Sequence, residues 1–213
     1  MKELEEKIAK DLLSIEAIFL RPEDPFTWAS GIKSPIYCDN RLILSYPMVR
    51  QLVELEIAKK IKKEFPGVEM LMGTATAGIA HAALAANNLD LPMGYVRSSA
   101  KSHGRENKIE GFYKEGQKVV VVEDLISTGG SSIECVNALR EAKLDVLGVV
   151  SIFTYQLEEG YKNFEAANCK YVSIANYDDL IKEAVELNYI KESDLAKLKA
   201  WKTDPHDESW ITK

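Results

Sequence analysis

Val119-Val120-Val121-Val122-Glu123-Asp124-Leu125-Ile126-Ser127-Thr128-Gly129-Gly130-Ser131-Ser132 is the stretch on which the fold turns. Four successive valines describe a strand buried on both faces, as in a parallel sheet covered on each side. Two carboxylates come next, then a short turn of hydroxyl residues and glycines. From Ile133, through Val136, Asn137 and Leu139, the spacing becomes helical. The order is buried strand, acid pair, small-residue turn, helix.

A turn that enters a helix leaves backbone N–H groups without partners, which suits a phosphate dianion. Gly129 and Gly130 permit close approach, while Ser127, Thr128 and Ser131 add hydroxyl donors. Glu123 and Asp124 fall at the carboxyl end of the strand, where open α/β sheets take their ligands. Carboxylates beside a phosphate repel it unless they meet sugar hydroxyls or a divalent cation. That points to a phosphorylated ribose with Mg²⁺. Alone, a Thr-Gly-Gly-Ser turn is also an ordinary βα connection. The complete block resembles the phosphoribosyl-pyrophosphate (PRPP) signature of type I phosphoribosyltransferases.

The chain around it has 213 residues, room for one domain with a real core. Its net charge of −6 argues against nucleic acid as the main partner. No apolar run reaches membrane-spanning length, and residues 1–6 lack the apolar core of a signal peptide. Cys38, Cys135 and Cys169 are scattered, fit no metal motif, and read as packing residues in a reducing cytoplasm.

Leu4, Ile8, Leu12, Ile15 and Phe19 predict an opening helix that stops before Arg21-Pro22. Residues 26–41 read as a short hairpin able to sit over a site as a hood. Helix is expected over 47–65, strand over 68–72, helix through His81 and Leu84, and strand over 91–96. After the central strand at 119–122 come a helix over 131–143 and a strand over 146–153. Helices around 158–167 and 177–187 flank a strand at 170–174. A helical tail over 192–201 precedes a mobile end at 203–213. This alternation predicts an α/β fold with a mostly parallel sheet flanked by helices.

Two further stretches carry chemistry. Gly73-Thr74-Ala75-Thr76-Ala77-Gly78 spaces its glycines like a nucleoside-triphosphate loop, but Ile79 stands where that motif needs lysine, which excludes the kinase or ATPase reading. It remains a second anion cradle or a tight packing turn. The stretch from Arg97 to Gly111 gathers Arg97, Lys101, His103, Arg105 and Lys108 without an apolar period. Such a loop is either a solvated surface segment or a cationic lid that closes over a polyphosphate. His81, in an alanine-rich helix, reads as packing, and His206 lies in a polar tail.

With these elements in order, the chain resembles the orotate phosphoribosyltransferases over nearly its full length. The likeness rests on Phe26-Thr27, Ser30-Gly31-Ile32-Lys33-Ser34-Pro35-Ile36-Tyr37, the basic loop, and residues 123–131. It implies a type I phosphoribosyltransferase-like fold, a single domain over 1–213 with a hood mainly from residues 1–45. It also implies Mg²⁺ as cofactor and a homodimer in which the basic loop reaches the neighbouring subunit's site. By the same resemblance Arg97, Lys101 and His103 bind the pyrophosphate part of PRPP, and Thr74, Ala75, Thr76 and Ala77 form the pyrophosphate loop. Glu123 and Asp124 meet the ribose hydroxyls and the Mg²⁺–PRPP complex. Leu125, Ile126, Ser127, Thr128, Gly129, Gly130 and Ser131 wrap the 5-phosphate. Ser127 and the backbone at Tyr37 and Cys38 line the orotate pocket, and Lys101, His103 and Asp124 carry catalysis. The alternatives are a phosphoribosyltransferase for another base, which the 30–37 hairpin argues against, and a non-catalytic PRPP-sensing regulator, which lacks here the expected nucleic-acid-binding module.

Overall fold

A computed structural model of the chain describes residues 2–28, 31–97 and 108–212. The first layer of the fold is α1 (Lys2–Ser14), followed by β1 (Ile18–Leu20), β2 (Phe26–Thr27), β3 (Lys33–Ser34) and β4 (Ile36–Cys38). A 3-10 turn over Asn40–Ser45 leads into α2 (Pro47–Glu64), β5 (Met70–Thr74), α3 (Ala77–Leu89), β6 (Met93–Val96) and β7 (Ile109–Glu110). Then come β8 (Lys118–Ile126), α4 (Gly130–Glu141), β9 (Asp145–Thr154), α5 (Glu158–Ala166), β10 (Tyr171–Asn176), α6 (Tyr177–Glu186) and α7 (Leu195–Thr203).

Six strands make one sheet in the order β10-β9-β8-β5-β6-β7. Every neighbouring pair is parallel except β6 with β7. Val119, Val120, Val121 and Val122 are all fully buried. Val120 and Val122 face the core that includes α1, α2, α3, α6 and α7, whereas Val119 and Val121 face the one under α4 and α5. The period of two along β8 thus feeds two hydrophobic layers. From β5 the chain moves outward to β6 and then returns to β8 on the other side. The reversal opens a crevice between the carboxyl ends of β5 and β8, the topological switch point at which open α/β sheets bind ligands.

Three sequence expectations change. The opening helix ends at Ser14, and Ile18–Leu20 is instead a strand, antiparallel to Ile36–Cys38 with Phe19 opposite Tyr37. The helical spacing through Phe19 yields to a backbone partner 18 residues away, a tertiary effect that periodicity does not register. Strand β8 continues past Val122 through Ile126, because Leu125 and Ile126 still find Phe153 and Thr154 on β9. The acid pair therefore lies inside the strand. Finally, the end of the chain is packed: Glu208–Thr212 forms a 3-10 turn and Trp210 is only 1% exposed. The hairpin is present as the β2–β3 pair, with Phe26 opposite Ser34 and Thr27 opposite Lys33.

Aromatic rings fasten the hairpin to the sheet. Trp28 stacks on Tyr155 at 5.5 Å and meets the edge of Trp201 at 5.7 Å. Trp201 Nε1 donates to the Lys33 carbonyl at 3.1 Å and Trp28 Nε1 to that of Ile36 at 3.3 Å. Such ring pairs add to simple burial, with each indole N–H finding an acceptor. The burial of Trp210 carries a consequence for stability. Trp210→Ala should cost about 3–5 kcal/mol, read as a lower urea midpoint at unchanged slope; an unchanged midpoint would mean that the C-terminal turn does not hold the core.

Candidate active site

Glu123 is the centre of the crevice. It is 5% exposed, and its carboxylate receives four hydrogen bonds. Oε1 accepts from Thr74 Oγ1 at 2.6 Å and from the Asp124 backbone N–H at 3.0 Å. Oε2 accepts from Ser132 Oγ at 3.0 Å and Ser131 Oγ at 3.3 Å. A carboxylate offers about four acceptor positions, so all are taken. The strand alternation explains the division of labour: Glu123 turns inward to the hydroxyls, and Asp124 turns to the other face.

Asp124 is half-buried, and its backbone carbonyl accepts from Asn40 Nδ2 at 2.8 Å, across 84 positions of sequence. Burial, and then the Glu123 carboxyl beside it, push the Asp124 carboxyl up from 3.8 to about 7. The two carboxyl groups share a hydrogen bond, which favours the protonated form of Asp124. Asn40 is fully buried at the start of the 3-10 turn that follows β4, so one hydrogen bond ties the hood to the acid pair. This tie escaped the sequence reading; an Asn directly after a short strand is common and carries no signal for so distant a partner.

The turn after β8 has the expected form. Gly129 sits at φ 82°, a left-handed conformation open to glycine, and α4 starts at Gly130. Ser127 and Thr128 are half-buried, and Gly130 and Ser131 exposed. Leu125 and Ile126 belong to β8, and Ile126 is buried core. In the second loop only Ala75 and Thr76 lie between β5 and α3, joined by a cis peptide. Thr74 is buried with its hydroxyl on Glu123, while Thr76 is exposed and Ala77 half-buried. Arg97 closes the other wall: its N–H donates to the Lys108 carbonyl at 2.8 Å, and Nη1 lies 3.6 Å from Glu110 Oε1. Thr74, Ala75, Arg97, Lys108 and Ser131 together line a cavity of about 50 Å³. Lys101 and His103 lie outside the described residues.

On the hood side, Tyr37 is exposed with its ring 5.6 Å from Phe26, and Cys38 is half-buried. Burial first, then Asp124 and Asp39, push the Cys38 thiol well above its usual range, so it stays protonated. The Tyr155 hydroxyl is raised by burial and by the same group of neighbours, Cys38 and Asp124 among them. Tyr155 therefore sits behind the site, a placement that the sequence reading did not assign. Arg41 pairs with Asp39 at 2.6 Å and points to solvent. His81 is fully buried and held neutral, its pKa lowered to about 4 by burial, in keeping with a packing residue.

Among the described residues no group of three or more His, Cys, Asp and Glu could hold a metal. That donor set still fits Mg²⁺, which takes one or two carboxylates and completes its shell from water and substrate phosphates. Glu123 is saturated, so Asp124 is the carboxylate that remains for it.

Residues 49–187 match the phosphoribosyl transferase domain family. A Bacillus cereus orotate phosphoribosyltransferase is 58% identical over 209 residues, covering 98% of this chain and 100% of that protein. The solved orotate phosphoribosyltransferase of Aeropyrum pernix is 27% identical with a TM-score of 0.74, over 86% of this chain and 99% of that one. The solved UMP synthase of Leishmania donovani is 28% identical with a TM-score of 0.78, over 92% of this chain; the chain spans 41% of that protein's length.

The Asp124 carboxyl has a measurable consequence. The folded protein keeps its proton up to about pH 7, whereas the unfolded chain releases it near the ordinary 3.8. Folding therefore binds a proton between these values, and this group lowers stability as pH rises from one to the other. Asp124→Asn should be roughly 2–4 kcal/mol more stable than the wild type at pH 8 and nearly equal to it at pH 4, by chemical denaturation. Equal stability at both pH values would contradict the raised pKa.

Proposed function

The chain belongs to the phosphoribosyltransferase family, and from that premise we propose that it transfers the 5-phosphoribosyl group of PRPP to N1 of orotate. The products are orotidine 5′-monophosphate and pyrophosphate, in pyrimidine nucleotide synthesis. The observation that carries this reading is the meeting of three parts at one strand end. They are the half-buried acid Asp124, the glycine turn at 127–131, and the hood strand Ile36–Cys38 tied to Asp124 through Asn40.

In the reaction the bond from C1 of ribose to pyrophosphate breaks while N1 of orotate, its proton lost, closes on C1. Positive charge grows on the ribose ring and negative charge on the departing pyrophosphate. The backbone N–H groups and hydroxyls of residues 127–131 hold the 5-phosphate and fix the sugar. Asp124 takes the ribose hydroxyls. Glu123 joins it by giving up Ser131, the longest of its four bonds. The loop of Thr74, Ala75, Thr76 and Ala77, with Arg97, Lys101 and His103, receives the pyrophosphate. Ser127 and the backbone of Tyr37 and Cys38 face the orotate ring. Asp124 is the residue that would hold a Mg²⁺ bound with PRPP, and such an ion would supply further positive charge to the leaving group.

The working form is a homodimer in which each basic loop serves the neighbouring site. Met48 is 80% exposed and Leu55 lies two turns further along the same face of α2, with Leu42 and Tyr46 exposed just before it. An apolar strip of this kind supports a subunit contact. No helix among the described residues is long and apolar enough to cross a membrane, and the three free thiols fit a cytoplasmic enzyme.

With PRPP and Mg²⁺ present, orotate should be consumed with one pyrophosphate released per orotate, while uracil, adenine and hypoxanthine are left untouched. Turnover of one of those bases in place of orotate would overturn the acceptor assignment. Lys101→Ala should lower kcat by roughly 10²–10³ with the fold intact. Mixed with Asp124→Asn, it should regain partial activity once subunits exchange, because each hybrid dimer builds one intact site. Absence of recovery after demonstrated exchange would rule out the shared loop.

A further inference from the structure

The turn at 127–131 does not shape itself. Of the four carbonyls from Ile126 to Gly129, three accept hydrogen bonds from the protein and that of Ser127 is packed against it. The Ile126 carbonyl accepts from the Tyr155 N–H at 3.0 Å, and that of Gly129 from the Ile133 N–H at 2.9 Å. Between them, the two that matter face α5. The Thr128 carbonyl accepts from Asn163 Nδ2 at 3.0 Å. The Ser127 carbonyl lies so close to Gly160 that a methyl group there would come within 2.7 Å of its oxygen. Beneath the turn, a methyl on Gly129 would strike the ring of Phe164 at 2.5 Å. Phe164 is itself buried and packed on Tyr171 with ring centroids 4.3 Å apart.

Gly160, Asn163 and Phe164 are successive contacts on one face of a single helix, at spacings of three and one. In a trans peptide the carbonyl and the N–H of the next residue point in opposite directions. Turning the Ser127 and Thr128 carbonyls toward α5 therefore turns the Thr128 and Gly129 N–H groups away from it, toward the open side. Neither N–H meets an acceptor among the described residues. Two adjacent N–H groups aimed the same way make an anion-binding concavity.

We propose that Gly160, Asn163 and Phe164 of α5 are positioning residues for the 5-phosphate: they set the direction of the N–H groups in a turn they do not belong to. The inference rests on the proposed reading of residues 127–131 as the phosphate cradle. Asn163 acts through the Thr128 peptide and need not touch substrate. Helix α5 lies outside the signature stretch, and Asn163, which holds Thr128 rather than the orotate-facing Ser127, affects how PRPP is gripped while leaving the orotate side alone.

The test is made on the full-length enzyme with Asn163→Ala and, separately, Gly160→Ala, using ribose 5-phosphate as the binding probe. Ribose 5-phosphate affinity should fall about tenfold in Asn163→Ala, and KM for PRPP should rise in step. KM for orotate and kcat at saturating PRPP should stay within about twofold of the wild type, a split that a general loss of structure would not produce. Gly160→Ala, which displaces the Ser127 carbonyl, should likewise weaken ribose 5-phosphate binding and raise KM for PRPP, here together with KM for orotate. If the wild type binds ribose 5-phosphate and Asn163→Ala binds it equally well, the role of α5 is wrong while the cradle stands. An equal loss toward orotate and PRPP in Asn163→Ala would also overturn it. If the wild type does not bind ribose 5-phosphate at all, the cradle reading falls and this inference with it.

Discussion

The candidate site depends on one buried carboxylate. Glu123 collects hydroxyls from the end of β5 and from the first turn of α4, along with the N–H of its own neighbour. These donors belong to the two strands on either side of the topological switch and to the helix that begins beyond it. A buried charge is costly unless its hydrogen bonds are complete, so the arrangement holds together or fails together. Asp124, beside it, is the acid proposed to meet the ligand.

A second constraint acts from the hood. Asn40 bonds the carbonyl of Asp124, and Trp201, near the C-terminus, bonds the carbonyl of Lys33 in the hairpin. The segment proposed to face the base is thereby referenced to the strand proposed to face the ribose, and both to the rings of Trp28 and Tyr155. Ring stacking and two indole hydrogen bonds provide rigidity that a two-residue β2–β3 pair lacks by itself. Helix α5 packs in the same way under the turn proposed to hold the phosphate.

Much of this was legible in the chain because it depends on local pattern. Four valines specify a strand buried on two faces, and a glycine turn before a helical period specifies an anion-sized gap in backbone bonding. The Ser-Gly-Ile-Lys-Ser-Pro hairpin separated one branch of a large family from the rest. What could not be read depends on distant partners. Ile18–Leu20 became a strand because Ile36–Cys38 is there to pair with it. Trp210, a lone aromatic among polar residues, looked loose because its pocket is assembled from elsewhere in the sequence. Asn40 and Asn163 reach carbonyls 84 and 35 positions away, and nothing in their own neighbourhoods marks them out. Glu123 and Asp124 looked alike as a pair; only the fold shows Glu123 as a clasp for four donors, with Asp124 beside it as the proposed ligand group.

The most direct test of the clasp is calorimetric titration of ribose 5-phosphate into the wild type and Glu123→Gln, a change that keeps shape but removes one acceptor oxygen and the charge. If Glu123 acted only as a nearby negative charge, its removal would tighten the binding of a phosphate dianion. If it orders the hydroxyls and the turn, a lost charge-assisted bond should weaken binding by about tenfold or more. Weaker binding with an intact fold is the result expected here. Equal or tighter binding would contradict it.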